Sequence, residues 1–98
     1  MPTYIWLGHF TAQGLEKVKG SPARIDTTRE VMDRVGASLK AWYVVTGRYD
    51  FVAIFEAPDD ETVARLALAV AAHGNVRTET ARAFTEAEYR QILTALPY

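Results

Sequence analysis

Apolar residues fall along this chain in short runs that switch between two periods, and the switches mark the elements. Thr3 to Phe10 is aromatic and β-branched and stops at Thr11, which predicts a first strand. Thr11 is placed to cap a short helical stretch reaching about Lys19, where Gly20 interrupts it. Ser21-Pro22 restarts a helix, since serine accepts from free backbone N–H groups and proline suits the first helical position. Ile25, Arg29, Met32 and Val35 then recur at helical spacing, and Gly36 supplies the stop.

Leu39–Thr46 and Phe51–Ala57 read as second and third strands. The intervening Gly47-Arg48-Tyr49-Asp50 is short enough to join them as an antiparallel hairpin. Pro58-Asp59-Asp60-Glu61 opens another helix with acid at its positive end. Its apolar stripe is Val63, Leu66, Ala67 and Val70, closed by His73-Gly74. Asn75–Phe84 forms a fourth strand. Thr85-Glu86-Ala87-Glu88 has capping-box spacing and starts a last helix whose buried side is expected to be Tyr89, Ile92, Leu93 and Leu96.

The order is βαββαβ plus one helix, an α+β, ferredoxin-like arrangement with a four-stranded antiparallel sheet in the order 4-1-3-2. The two inner strands are the most apolar. The outer pair carries the charges, with Lys40 in one and Arg77, Glu79 and Arg82 in the other, which limits stray edge pairing.

Helices are expected on one face of this sheet only, so a monomer's strands ought to alternate between apolar and polar. They do not. Ile5 and Leu7 oppose Tyr4, Trp6 and Phe10; Val52 and Ile54 oppose Phe51, Ala53 and Phe55; Leu39, Ala41, Tyr43 and Val45 oppose Trp42 and Val44. Both faces of the central strands call for burial. A second copy packed on the open face satisfies the pattern in a dimeric α/β-barrel type assembly, as a dimer or a ring of dimers. The competing arrangement is a monomer with the last helix laid across the sheet.

Ninety-eight residues, about half of them hydrophobic, fit a single domain spanning 1–98 with a real core. The net charge of −1 argues against attraction to nucleic acid or an acidic membrane surface. Without cysteine there is no disulfide, thiolate zinc site or thiol nucleophile. The start of the chain lacks signal-peptide character and no apolar run is long enough to span a bilayer, so a cytoplasmic location is expected.

Few residues carry candidate chemistry. Asp50 either meets a ligand amine or holds the hairpin, the commoner task for aspartate beside glycine. Tyr49 offers a hydroxyl to a ligand or fills a subunit contact. His9, next to Phe10 and near Trp6, is a general acid or base if it lines a cavity. With no partner His, Cys or paired carboxylate at triad spacing, the favoured reading is a structural or partly exposed histidine. Glu56 and Lys40, if both face the open side, pair across a subunit boundary or polarise a ligand; otherwise they are a solvated strand end. Trp6, Trp42 and Tyr43 frame an aromatic pocket or serve as core. No metal site is expected, because His9 and His73 have no partners at ligand spacing and Asp59, Asp60 and Glu61 read as helix capping. Gly14 and Gly20 lack the context of a phosphate loop. No cofactor is called for.

Pro2-Thr3-Tyr4-Ile5, the Thr11-Ala12-Gln13-Gly14 turn, Gly47-Arg48-Tyr49-Asp50-Phe51-Val52-Ala53-Ile54 and Glu56-Ala57-Pro58-Asp59-Asp60 resemble the GYD-domain proteins. Asn75-Val76-Arg77-Thr78 and Arg82-Ala83-Phe84-Thr85-Glu86 extend the resemblance over nearly the whole chain. Thr46–Asp50, followed by Gly74-Asn75-Val76-Arg77-Thr78-Glu79-Thr80, is more distantly similar to the effector-binding domain of Lrp/AsnC-type regulators. That likeness implies assembly through the sheets and a small effector bound between subunits near the hairpin. The first strand begins at residue 3, which leaves no room for a helix-turn-helix, so the implied role is at most that of a sensing module.

The leading expectation is therefore a homo-oligomeric, non-catalytic module that binds a small molecule or a partner, with Trp6, His9, Tyr43, Tyr49, Asp50 and Glu56 as candidate binding residues. The alternative is a cofactor-free enzyme of the dimeric α+β barrel kind, monooxygenase- or isomerase-like, using a pocket near His9 with Trp6, Tyr43 or Glu56. A purely structural partner protein is the third reading. Fold alone does not decide among them.

Overall fold

The computed structural model describes residues 1–98. Strand β1 (Thr3–Phe10) leads into a short helix α1 (Ala12–Glu16), a 3-10 turn over Val18–Gly20 and helix α2 (Ser21–Arg34). Strands β2 (Ser38–Val44) and β3 (Phe51–Glu56) form the hairpin; α3 (Asp60–Ala72), β4 (Val76–Ala83) and α4 (Glu86–Thr94) complete the chain. The sheet order is β2-β3-β1-β4, all neighbours antiparallel, which is the order expected from the sequence.

Local chemistry sets the boundaries. Thr11 caps α1 by accepting the Gly14 N–H at 3.1 Å. Asp59 caps α3, accepting from the Thr62 N–H at 2.8 Å and its hydroxyl at 2.7 Å. Thr85 and Glu88 form a reciprocal capping box at the head of α4. Gly36, Gly47 and Gly74 have positive φ, and Gly47 at +110° turns the hairpin where a side chain would be strained.

The core lies between one sheet face and helices α2 and α3. Tyr4 and Trp6 from β1 and Phe55 from β3 pack ring to ring, with centroids 5.8 and 4.7 Å apart. Met32, Val63 and Leu66 close over them from the helices. Gly8 completes the alternation of β1, and a side chain there would overlap the Phe51 ring.

Three expectations change. β2 bulges between Leu39 and Ala41, so Leu39 aligns with Phe55 and joins Trp42 on the helix side rather than Tyr43 on the other. β2 ends at Val44, short of Thr46, because the chain must turn into the hairpin. Most consequentially, α4 does not lie across the sheet. Its stripe of Tyr89, Ile92, Leu93 and Leu96 is exposed, so the side expected to be buried has no partner within the chain.

Overall dimensions carry the same message. The molecule extends 51 × 32 × 18 Å with a radius of gyration of 14.8 Å, against about 12.6 Å for a compact domain of this length. Its accessible surface is 6580 Å2, whereas a folded monomer of 10.9 kDa has roughly 5,600 Å2. The excess is about 1,000 Å2.

Candidate interaction surface

Pairing register lays out the open sheet face in rows. Residues directly opposite in an antiparallel pair share a face, so Ala41, Ile54, Ile5 and Ala81 form one row across all four strands. Tyr43, Val52, Leu7 and Glu79 form the next. Ser38, Glu56, Thr3 and Ala83 bound the face at one end, and His9 opposite Arg77 bounds it at the other. Ile5, Leu7, Val52 and Ile54 are all half-buried, and Tyr43 is 58% exposed.

The centre of this face is thus aliphatic and its margins polar. Glu56 stands at one end, and Glu79, Arg77 and His9 at the edge and the other end. That distribution matches protein interfaces, where charge is depleted from the centre and gathered at the rim. An isolated sheet face of this composition leaves apolar surface in water at a cost that a partner removes.

The polar end is the most structured part of the rim. Asp50 Oδ2 accepts the Phe10 backbone N–H at 2.9 Å, and the Asp50 N–H donates to Gly8 O at 2.8 Å. The same carboxylate oxygen lies 3.9 Å from His9 Nδ1. The His9 and Tyr49 rings are 5.1 Å apart, and the Arg48 guanidinium lies 5.9 Å from the Tyr49 ring. Hydrogen bonding to Glu79 and then burial raise the Tyr49 phenol above its ordinary value. Asp50 therefore anchors the hairpin to β1, and the His9–Tyr49 pair rests on that anchor.

The six candidate residues do not form one group. His9, Tyr49 and Asp50 converge at the rim. Tyr43 and Glu56 share the open face with them but sit in other rows. Trp6 belongs to the opposite face, 2% exposed in the core, so strand parity separates it from His9 despite their closeness in sequence. Lys40 stands in the bulge of β2, outside the register that places Glu56. Arg77 and Glu79, read from the sequence only as edge charges, complete the rim; the signal for them is the β1–β4 register, which puts Arg77 opposite His9. No group of three His, Cys, Asp or Glu side chains comes together in metal-binding geometry. No helix is long and apolar enough to cross a membrane.

Comparison with known proteins adds a family and one relative. The GYD domain profile matches residues 4–93. The chain is 40% identical over 89 residues, 90% of its own length and 94% of the other, to a Thermus thermophilus protein named glutamine synthetase and cystathionine beta-lyase binding protein. No solved structure gives a significant match.

Proposed function

The chain belongs to the GYD domain family, and from that premise we propose that it is a non-catalytic protein-interaction module, built as a homo-oligomer, that binds a metabolic enzyme. The observation that carries this reading is the half-buried aliphatic face of the sheet on the side away from the helix-packed core, together with the exposed stripe of α4. A standard interface buries about 800 Å2 per partner. The surface in excess of a compact monomer is of that size, so one self-interface accounts for it. Open faces of two copies meeting about a two-fold axis would bury Ile5, Leu7, Val52 and Ile54 against their equivalents.

The name of the 40%-identical relative supplies the partner class. By that likeness the assembled chain binds glutamine synthetase, cystathionine beta-lyase or both, using surface that remains after self-assembly. The test is binding of the purified full-length chain to each purified enzyme from the same source, followed by biolayer interferometry and co-elution. Saturable binding to either enzyme by an oligomeric chain is the expected result. An oligomeric, folded chain that binds neither enzyme overturns the partner assignment, and a folded monomer overturns the assembly.

A further inference from the structure

The face of the sheet opposite the proposed interface holds a cavity that the interaction reading does not use. It has a volume of about 210 Å3 and lies between α2, the C-terminal end of α3 and the sheet. Its walls are mainly apolar, with Phe10, Trp42, Val31 and Val70 among them. Two residues of that lining each carry a nitrogen that is out of place. Trp6 Nε1 and Arg24 Nη2 are both buried and neither has a hydrogen-bond partner.

Buried donors without acceptors are rare, because each forfeits its hydration for nothing in return. The Arg24 case is the sharper one. A guanidinium cannot shed its charge, and no Asp or Glu side chain forms an ion pair with it, although Arg29, Arg65, Arg82 and Arg90 all have acidic neighbours. The other polar residues of the lining, Ser21, Thr27, Thr28, His73 and Asn75, supply no hydrogen-bond acceptor to either nitrogen. The missing component is an acceptor, preferably anionic, attached to an apolar body. A cavity of about 150 Å3 accommodates benzene, so this one takes a somewhat larger group.

We propose that the cavity is a binding site for a small monocarboxylate with a compact aryl or medium-chain alkyl body, its carboxylate neutralising Arg24 and accepting from Trp6. The apolar body displaces poorly held water from the walls formed by Phe10, Trp42 and Val70. Arg24 sets the preference for an anion, and the chamber volume limits the tail. This inference is independent of the self-interface, because Trp6 and the open-face residues point to opposite sides of the sheet.

Both tryptophans of the chain line the cavity, which makes their indole N–H resonances direct reporters. The experiment is a titration of the 15N-labelled full chain with sodium octanoate and, separately, with 1-octanol, with the Trp6 signal assigned by its loss in Trp6→Phe. Octanoate is expected to move the Trp6 indole signal downfield and saturably, and to bind at least about ten-fold more tightly than the alcohol. Arg24→Gln is expected to lose about ten-fold in octanoate affinity while leaving 1-octanol unchanged, a difference that a merely unfolded variant would not show. No saturable shift with octanoate overturns the proposal, as does equal binding of acid and alcohol. Equal octanoate affinity in Arg24→Gln overturns it too.

Discussion

The ring of Phe51 occupies the space that a side chain at Gly8 would need. The two residues are direct partners across β1 and β3, and the ring also contacts Phe10 and Trp42, with centroids 5.6 and 5.5 Å away. Gly8 is therefore required by packing rather than by backbone conformation, since its φ is not positive. Gly8→Ala is expected to destabilise the fold by about 1–3 kcal/mol, the usual range for overpacking. Combining it with Phe51→Leu, which vacates the ring, is expected to restore part of that loss. Urea unfolding of the four proteins in this double-mutant cycle measures the coupling, and strict additivity would refute the steric account.

Asp50 is the second anchor of the same region. Its carboxylate accepts the Phe10 N–H at 2.9 Å and faces His9 at 3.9 Å. Asp50→Ala is expected to cost about 1–2 kcal/mol, the range for a partly exposed bond to a charged acceptor. Asp50→Asn keeps an acceptor and is expected to cost less. The accompanying readout is hydrogen exchange of the Phe10 amide, which is expected to accelerate in the alanine variant and to change little in the asparagine variant.

Two helix caps predict how stability responds to acid. The bonds from the Thr62 backbone and hydroxyl hold the Asp59 carboxyl below its ordinary range. The backbone bond from Thr85 does the same for Glu88. A folded value below the unfolded one means that the unfolded chain binds protons more readily as pH falls. The stabilisation is complete above the ordinary values, about 3.9 and 4.3, and disappears as pH drops through the lower folded values. Asp59→Asn retains a good capping acceptor that does not titrate. The stability difference between the native chain and this variant is therefore expected to change below about pH 4, in the sense of the native chain losing its advantage. Urea midpoints taken across this range check it, and a pH-independent difference would contradict the assignment.

How much of this was legible in the chain depends on the scale at which a signal lives. Strand and helix order follow from period and caps, which are local, and the sheet order follows from which strands are most apolar. The role of Leu39 did not follow, because a one-residue bulge reverses strand parity without any mark in the hydrophobic pattern. The stripe of Tyr89, Ile92, Leu93 and Leu96 was visible, but an amphipathic pattern states that a surface wants cover and not what supplies it. Trp6 and His9 looked like neighbours until their odd-numbered separation set them on opposite faces. Arg24 gave no signal at all, since an arginine in a polar stretch of helix reads as solvated until the fold buries its terminal nitrogen.

Ile54 offers the most direct test of assembly. It sits in the middle of the open face, paired with Ile5 on one side and Ala41 on the other, and it takes no part in the core on the helix side. Ile54→Lys places a charge where two copies would meet, and a lysine opposite its own symmetry-related region is both unpaired and desolvated. The expected outcome is a folded monomer, with native-like circular dichroism and the mass of one chain in native mass spectrometry. Leu93→Lys, on α4, discriminates further. If it also dissociates the assembly, the last helix embraces the partner subunit; if it leaves the assembly intact, its stripe remains free to receive the enzyme. An Ile54→Lys protein that stays oligomeric would remove the sheet face as the interface and shift that role to α4 alone.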